Sequence, residues 1–181
     1  SAQDGDRTTL TVGYSVPVAS GVHGQAVSFR DGSDVTVSLF ADGSAKPKYT
    51  VSVPGGTKDS SGQYTTTYDI PEVAPGTYTM QVSKKNHVTR EYTVTVSGEA
   101  VTQNAEIWLL GDVNGDGVRD MTDVVQICRR FNGKTSVFDN GDAETRAYRL
   151  KVADIYADNS IDTTDINQIL RYYNGKSSVL G

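Results

Sequence analysis

The sequence predicts two domains of different class, an all-β sandwich over residues 1–107 and a small all-α unit over 108–181 made of two loop–helix repeats. Three observations carry this. Short Val-, Thr- and Tyr-rich runs, separated by Gly, Pro, Asp and Ser clusters, fill the first half and stop at Trp108. Two acidic dodecapeptides lie at 112–123 and 154–165, 42 residues apart. Each is followed by apolar residues at helical spacing and then by Asn-Gly.

Residues 1–7 read as a linker remnant. Strands are expected at LTVGYSV (10–16), VTVSLF (35–40), YTVSV (49–53), YTTTYDI (64–70), TYTMQV (77–82), EYTVTV (91–96) and VTQNAEIWLL (101–110). Most runs alternate polar with apolar, as antiparallel sheets with one wet face do. PGG at 54–56 and PG at 75–76 mark turns. His23 and His87 have no Cys or Glu at metal spacing and read as surface or hydrogen-bonded residues.

The first dodecapeptide, DVNGDGVRDMTD, puts Asp112, Asn114, Asp116, Asp120 and Asp123 at loop positions 1, 3, 5, 9 and 12, with Gly117 at position 6. That is the spacing of an EF-hand loop, with the Val118 carbonyl at position 7. Four carboxylates in so short a loop repel one another unless a cation lies between them. The second loop offers Asp154, Asp158, the Ser160 carbonyl, Asp162 and Asp165, but Tyr156 replaces the position-3 ligand and Asn159 the turn glycine. Two Ca²⁺ sites are therefore expected, the second weaker.

DVVQICRRFNGKTSV (123–137) lies in register over DINQILRYYNGKSSV (165–179). Val124, Ile127, Cys128 and Phe131, and Ile166, Ile169, Leu170 and Tyr173, form the two apolar stripes expected to face each other. Asp142 is placed to cap a short intervening helix carrying Ala143, Ala147 and Leu150. No helix is expected to enter either loop. A domain of about 70 residues commonly needs a metal to hold it.

Composition narrows the function. The net charge is −5, and eight of the 11 acids after residue 107 sit in the two loops, so two calcium ions take that half from −2 to about +2. No basic stripe with interleaved aromatics points to nucleic acid, and no run is apolar enough to span a membrane. Cys128, the one cysteine, has no disulfide partner and reads as packing. The chain opens without Met or a signal peptide, which suggests a piece of a longer protein.

The segment DVTVSLF…SGQYTTTYDIPEVAPGTYTMQVSKKNHVTREYTVTVSG resembles the Ig-like, transthyretin-type sandwich of carboxypeptidase-regulatory-like domains, with their Pro-Gly-Thr-Tyr turn. Residues 110–181 resemble a dockerin, closest to type I, and a sandwich directly ahead of it resembles an X-module. The resemblance implies a non-catalytic, calcium-dependent module that binds a cohesin of a scaffoldin. Such a module anchors a secreted polysaccharide-degrading enzyme or scaffold subunit to a cellulosome- or amylosome-type complex outside a bacterial cell, or on its surface. A monomer is expected when free. The family's recognition positions fall on Met121, Thr122 and Arg129, and on Thr163, Thr164 and Arg171; family loops also carry an apolar residue at position 8, which Ile161 matches and Arg119 does not.

On the helices, Met121, Thr122, Val125, Gln126 and Arg129, and Thr163, Thr164, Asn167, Gln168 and Arg171, lie outside the apolar stripes and form the candidate partner surface. Met121 and Val125 face Thr163 and Asn167 in the alignment, so the first helix is expected to lead. The other reading is a calcium-stabilised carbohydrate-binding or adhesion module with Trp108 and the tyrosines as sugar platforms.

Overall fold

A computed structural model describes residues 20–181; the linker at 1–7 and the strand at 10–16 lie outside the described residues. The strands are β1 (Ser20–Phe29), β2 (Val35–Ala41), β3 (Tyr49–Val53), β4 (Thr57–Lys58), β5 (Gln63–Val73), β6 (Gly76–Lys84), β7 (Arg90–Val96), β8 (Val101–Thr102) and β9 (Ala105–Glu106). The helices are α1 (Met121–Phe131), α2 (Ala143–Ala153) and α3 (Thr163–Tyr173), with a 3-10 turn at Val137–Asp139.

One sheet runs β4-β5-β1-β8 with β9 also on β1, and the other runs β3-β2-β6-β7. Period-two alternation turns Val35, Val37 and Leu39 of β2 and Tyr78, Met80 and Val82 of β6 inward. They meet Val22, Ala26, Tyr68 and Ile70 of the other sheet in one buried cluster.

Two strand expectations need correction. β1, which pairs antiparallel with β5 and parallel with β8 and β9, has the sequence SGVHGQAVSF, whose glycines and polar residues hide the alternation. Its neighbours on both sides supply the hydrogen bonds that hold it. The run 101–110 is no single strand: it touches β1 at two short points and then leaves the sandwich.

At that departure the two cores meet. Ile107 closes the sandwich cluster, while Trp108 and Leu109 enter a second one with Phe29, Val113, Val124, Ile127, Phe138, Tyr148, Val152, Ile155, Ile169 and Leu180. The strip 108–110 lies against the turn between β6 and β7. The Val88 N–H donates to the Trp108 carbonyl (2.9 Å) and the Leu110 N–H to the Asn86 carbonyl (3.1 Å). From α2, the buried Tyr148 hydroxyl accepts the Trp108 N–H (2.9 Å) and donates to the Val88 carbonyl (2.7 Å).

His87 locks the same turn to β1. Its Nε2 accepts the Phe29 N–H (3.0 Å), and its Nδ1–H donates to the Lys85 carbonyl (2.8 Å), which requires the neutral ring. Burial pulls its pKa down to about 4, with the Lys84 and Arg119 charges adding to the effect and the Lys85 bond opposing it. An unfolded histidine titrates near 6.5. The unfolded chain therefore binds the proton first as pH falls. The stabilisation from His87 is complete above pH 6.5 and is lost on the way down to pH 4. Denaturant unfolding at pH 7.5 and 4.5 should show a loss on the order of 2 kcal/mol, discounted for partial exposure, that is absent from His87→Gln.

Candidate metal centre

The first loop begins where the junction strip ends. Gly111 donates its N–H to the Val152 carbonyl (2.8 Å), and Asp112 donates to that of Leu109 (3.0 Å). Asp112 accepts the Gly115, Asp116 and Gly117 N–H groups (2.8, 3.2 and 2.8 Å). Asp123 accepts those of Val113, Asn114 and Asp120 (2.8, 3.3 and 2.9 Å). Asp116 takes the Val118 N–H (2.9 Å) and the Asn114 side-chain amide (2.8 Å). Asp120 caps α1 in a capping box with Asp123.

The second loop repeats the scheme. Asp154 accepts from Asp158 and Asn159 (3.0 and 2.8 Å), Asp165 from Ile155 and Asp162 (2.8 and 3.0 Å), and Asp158 from Ser160 (2.9 Å). Asp162 caps α3, and its bonds from the Thr164 hydroxyl and N–H hold its carboxyl below the usual range. The backbone trace is shared as well: Gly115 and Gly117 have φ of 76° and 84°, and Ala157 and Asn159 have 54° and 65°. The entering helix expected to be missing from both units is missing only from the first. α2 runs straight into Asp154, its C-cap residue.

The loops differ in surroundings. A Cβ on Gly117 would lie 2.2 Å from the Phe29 ring, and one on Gly115 would lie 2.7 Å from Trp108, so the first loop is seated against the sandwich. Asp112 and Asp123 are both 0% exposed. Of the second loop's acids only Asp165 is buried, and Tyr156 turns outward to accept a bond from the Gln168 side-chain amide (2.6 Å). Burial, then repulsion from Asp123, pushes Asp112 up to about 7; burial pushes Asp123 up to about 6. No Lys, Arg or His within 4 Å pairs with a loop aspartate among the described residues. As placed, the carboxylates face loop amides, and among the described residues no three Asp, Glu, His or Cys side chains form a metal-holding group. The donor set nonetheless fits a hard cation: it is all oxygen, and its two most buried members are like-charged, with no basic side chain in a direct ion pair with either among the described residues.

Residues 110–174 match the family model of the dockerin type I domain. This part of the chain is a dockerin. No curated protein sequence matches the chain significantly. Similar solved structures include two forms of the type II cohesin–X-dockerin complex from Acetivibrio cellulolyticus. An N-terminal interface mutant is 22% identical, with a TM-score of 0.36. A C-terminal interface mutant is 21% identical, with a TM-score of 0.35. Each match covers 85% of this chain and 95% of the other. Dockerin domains are non-catalytic assembly modules of extracellular cellulosome-type complexes and generally bind calcium. Among the described residues no helix is long and apolar enough to cross a membrane.

On the dockerin surface Met121 (42%) and Val125 (48%) are exposed on α1, as are Thr122 and Arg129; Thr163, Thr164, Asn167 and Arg171 are exposed on α3. Gln126 and Gln168 are half-buried and hold the chain beyond each helix, accepting the Val137 and Val179 N–H groups (3.0 and 3.1 Å). Arg129 and Arg171 donate from Nε to the Thr135 and Ser177 carbonyls (both 2.6 Å). The apolar stripes are shorter than expected. Phe131 and Tyr173 end their helices and are 68% and 55% exposed, while Phe138 and Tyr172 provide the cover there. Trp108 is buried against Tyr148, with its indole N–H on Glu106 (3.0 Å), and presents no face to a sugar.

Gly117→Ala should destabilise the chain by about 2 kcal/mol or more in denaturant unfolding, since left-handed strain adds to the Phe29 clash. Ala157→Gly removes only strain, with nothing packed against it. It should stabilise the dockerin by roughly 0.5 kcal/mol in denaturant unfolding.

Proposed function

We propose that the chain is a non-catalytic, calcium-dependent docking module, with residues 108–181 binding a cohesin and the sandwich of residues 1–107 bracing them. The observation that carries this is the match of 110–174 to the dockerin family, over a region where two loop–helix units repeat the same bonding scheme. In this reading the module tethers a secreted polysaccharide-degrading enzyme or scaffold subunit to an extracellular complex of a polysaccharide-degrading bacterium. The chain itself is non-catalytic and is a monomer when free of its partner.

Two calcium ions fit the reading. Asp112, Asn114, Asp116, the Val118 carbonyl, Asp120 and Asp123 would hold the first in an EF-hand-like loop. Asp154, Asp158, the Ser160 carbonyl, Asp162 and Asp165 would hold the second, more weakly for want of a position-3 ligand. The ion neutralises the buried acids; the protein orders α1 and α3 through the Asp120–Asp123 and Asp162–Asp165 capping boxes. Because calcium binds the folded loops and not the unfolded chain, it stabilises the docking face by mass action.

The partner surface comprises Met121, Thr122, Val125 and Arg129 with Thr163, Thr164, Asn167 and Arg171. Gln126 and Gln168 contribute mainly by shaping it. Met121 and Val125 give α1 the larger apolar area, so α1 leads the contact.

Calorimetry against a panel of cohesins should give calcium-dependent binding to at least one, abolished by excess chelator. Met121→Thr with Val125→Asn should weaken that binding by about tenfold or more, and Thr163→Ala with Asn167→Ala by less. Calcium uptake with no cohesin bound would sink the docking reading, and equal losses from the two pairs would sink the preference for α1.

A further inference from the structure

Arg119 occupies loop position 8, where its counterpart in the second loop, Ile161, packs half-buried in the second cluster. Arg119 is only 5% exposed, yet it is cationic and belongs to no ion pair among the described residues. Its Nη2 donates to the Asn86 carbonyl in the turn between β6 and β7 (3.0 Å). Its Nη1 donates to the Leu180 carbonyl at the C-terminus (2.9 Å). Its guanidinium lies 5.2 Å from the centre of the Tyr172 ring on α3, a ring that Arg30 of the sandwich also approaches at 5.7 Å. One side chain of the first loop thus reaches the sandwich, α3 and the chain's end.

A buried guanidinium bound to neutral carbonyls is stable only while those acceptors stay in place, because losing one leaves a desolvated donor. The Asn86 carbonyl also receives the Leu110 N–H, so Arg119 and the junction strip converge on one acceptor. Val118 and Asp120 flank Arg119, and each contributes an oxygen to the calcium site proposed above. Closing the loop round an ion therefore sets where the Arg119 backbone lies.

We infer that Arg119 is a positioning residue that couples occupancy of the first calcium loop to the seating of the dockerin on the sandwich. This rests on the calcium reading of that loop. The coupling is reciprocal: calcium holds Arg119 on the Asn86 carbonyl, and that attachment holds the loop ready for calcium. In the second loop Ile161 takes this place, and its aliphatic side chain cannot donate to a carbonyl.

The test is hydrogen exchange on the whole chain, with calcium and with a calcium chelator, read at the Val88 and Leu110 amides that close the junction. In the unaltered chain, chelation should speed exchange at both by about tenfold or more. Arg119→Met should show the fast rates with calcium present, and calorimetry should show its tighter calcium site weakened by about tenfold. Arg119→Lys, which reaches only one carbonyl at a time, should fall between and carries the comparison if the Met variant does not fold. The inference is overturned if chelation deprotects Gly115 and Gly117 while Val88 and Leu110 stay protected, or if both variants keep the exchange and calcium affinity of the unaltered chain. A failure of the unaltered chain to take up calcium in calorimetry overturns the calcium reading itself, and the coupling with it.

Discussion

Backbone polar groups leaving a sheet must find partners before they are buried, and that requirement shapes the junction at Trp108–Leu110. The strip cannot continue along β1, because its residues turn toward the second core. Its amides and carbonyls are met instead by Asn86 and Val88 and by the Tyr148 hydroxyl, which bonds to both sides of the seam. A tyrosine serves well here: its ring adds to the apolar cluster, and its one oxygen both accepts and donates. With the strip held in this way, the first loop starts at a fixed place on the sandwich.

The inequality of the two loops follows from that attachment. The first is pressed onto Phe29 and Trp108, so its tight positions need glycine both for φ and for space, and two of its acids lose all contact with water. The second emerges from α2 into solvent, where Ala157 and Asn159 follow the same trace without a neighbour to exclude them. Tyr156 is tolerated there because its side chain leaves the loop and rests on Gln168. Loops descended from one pattern thus carry different loads: the first is part of the core between two modules, and the second is an exposed cap.

Much of this was legible in the residues. The strands from 35 to 96 show in their alternation, and α1 and α3 show in their apolar spacing and terminal Asn-Gly pairs. β1 was not, because a strand paired on both sides needs little apolar pattern when its ladder bonds hold it, and its two glycines interrupt the alternation. The exposure of Phe131 and Tyr173 was hidden too. Helical periodicity assigns a residue to a face but does not say how far along the helix the opposing cover extends. Arg119 stood out in the sequence only as a departure from an apolar position. Its role depends on carbonyls 33 and 61 residues away, which no local pattern encodes.

The repeat itself separates the residues that shape the proposed docking face from those that differ on it. Gln126 and Gln168, Arg129 and Arg171, and Asn132 and Asn174 are identical in the two copies, and each pair makes the same internal bonds. Those bonds fix how the chain leaves each helix, so either copy would lose its shape if they changed. Met121 and Val125 against Thr163 and Asn167 make no such bonds, and there the copies have diverged from apolar to polar. Shape is therefore close to two-fold symmetric while chemistry is not. A partner pocket built for the Met121–Val125 side would meet two polar groups after a half-turn of the dockerin, and would have to desolvate them without matching acceptors or donors.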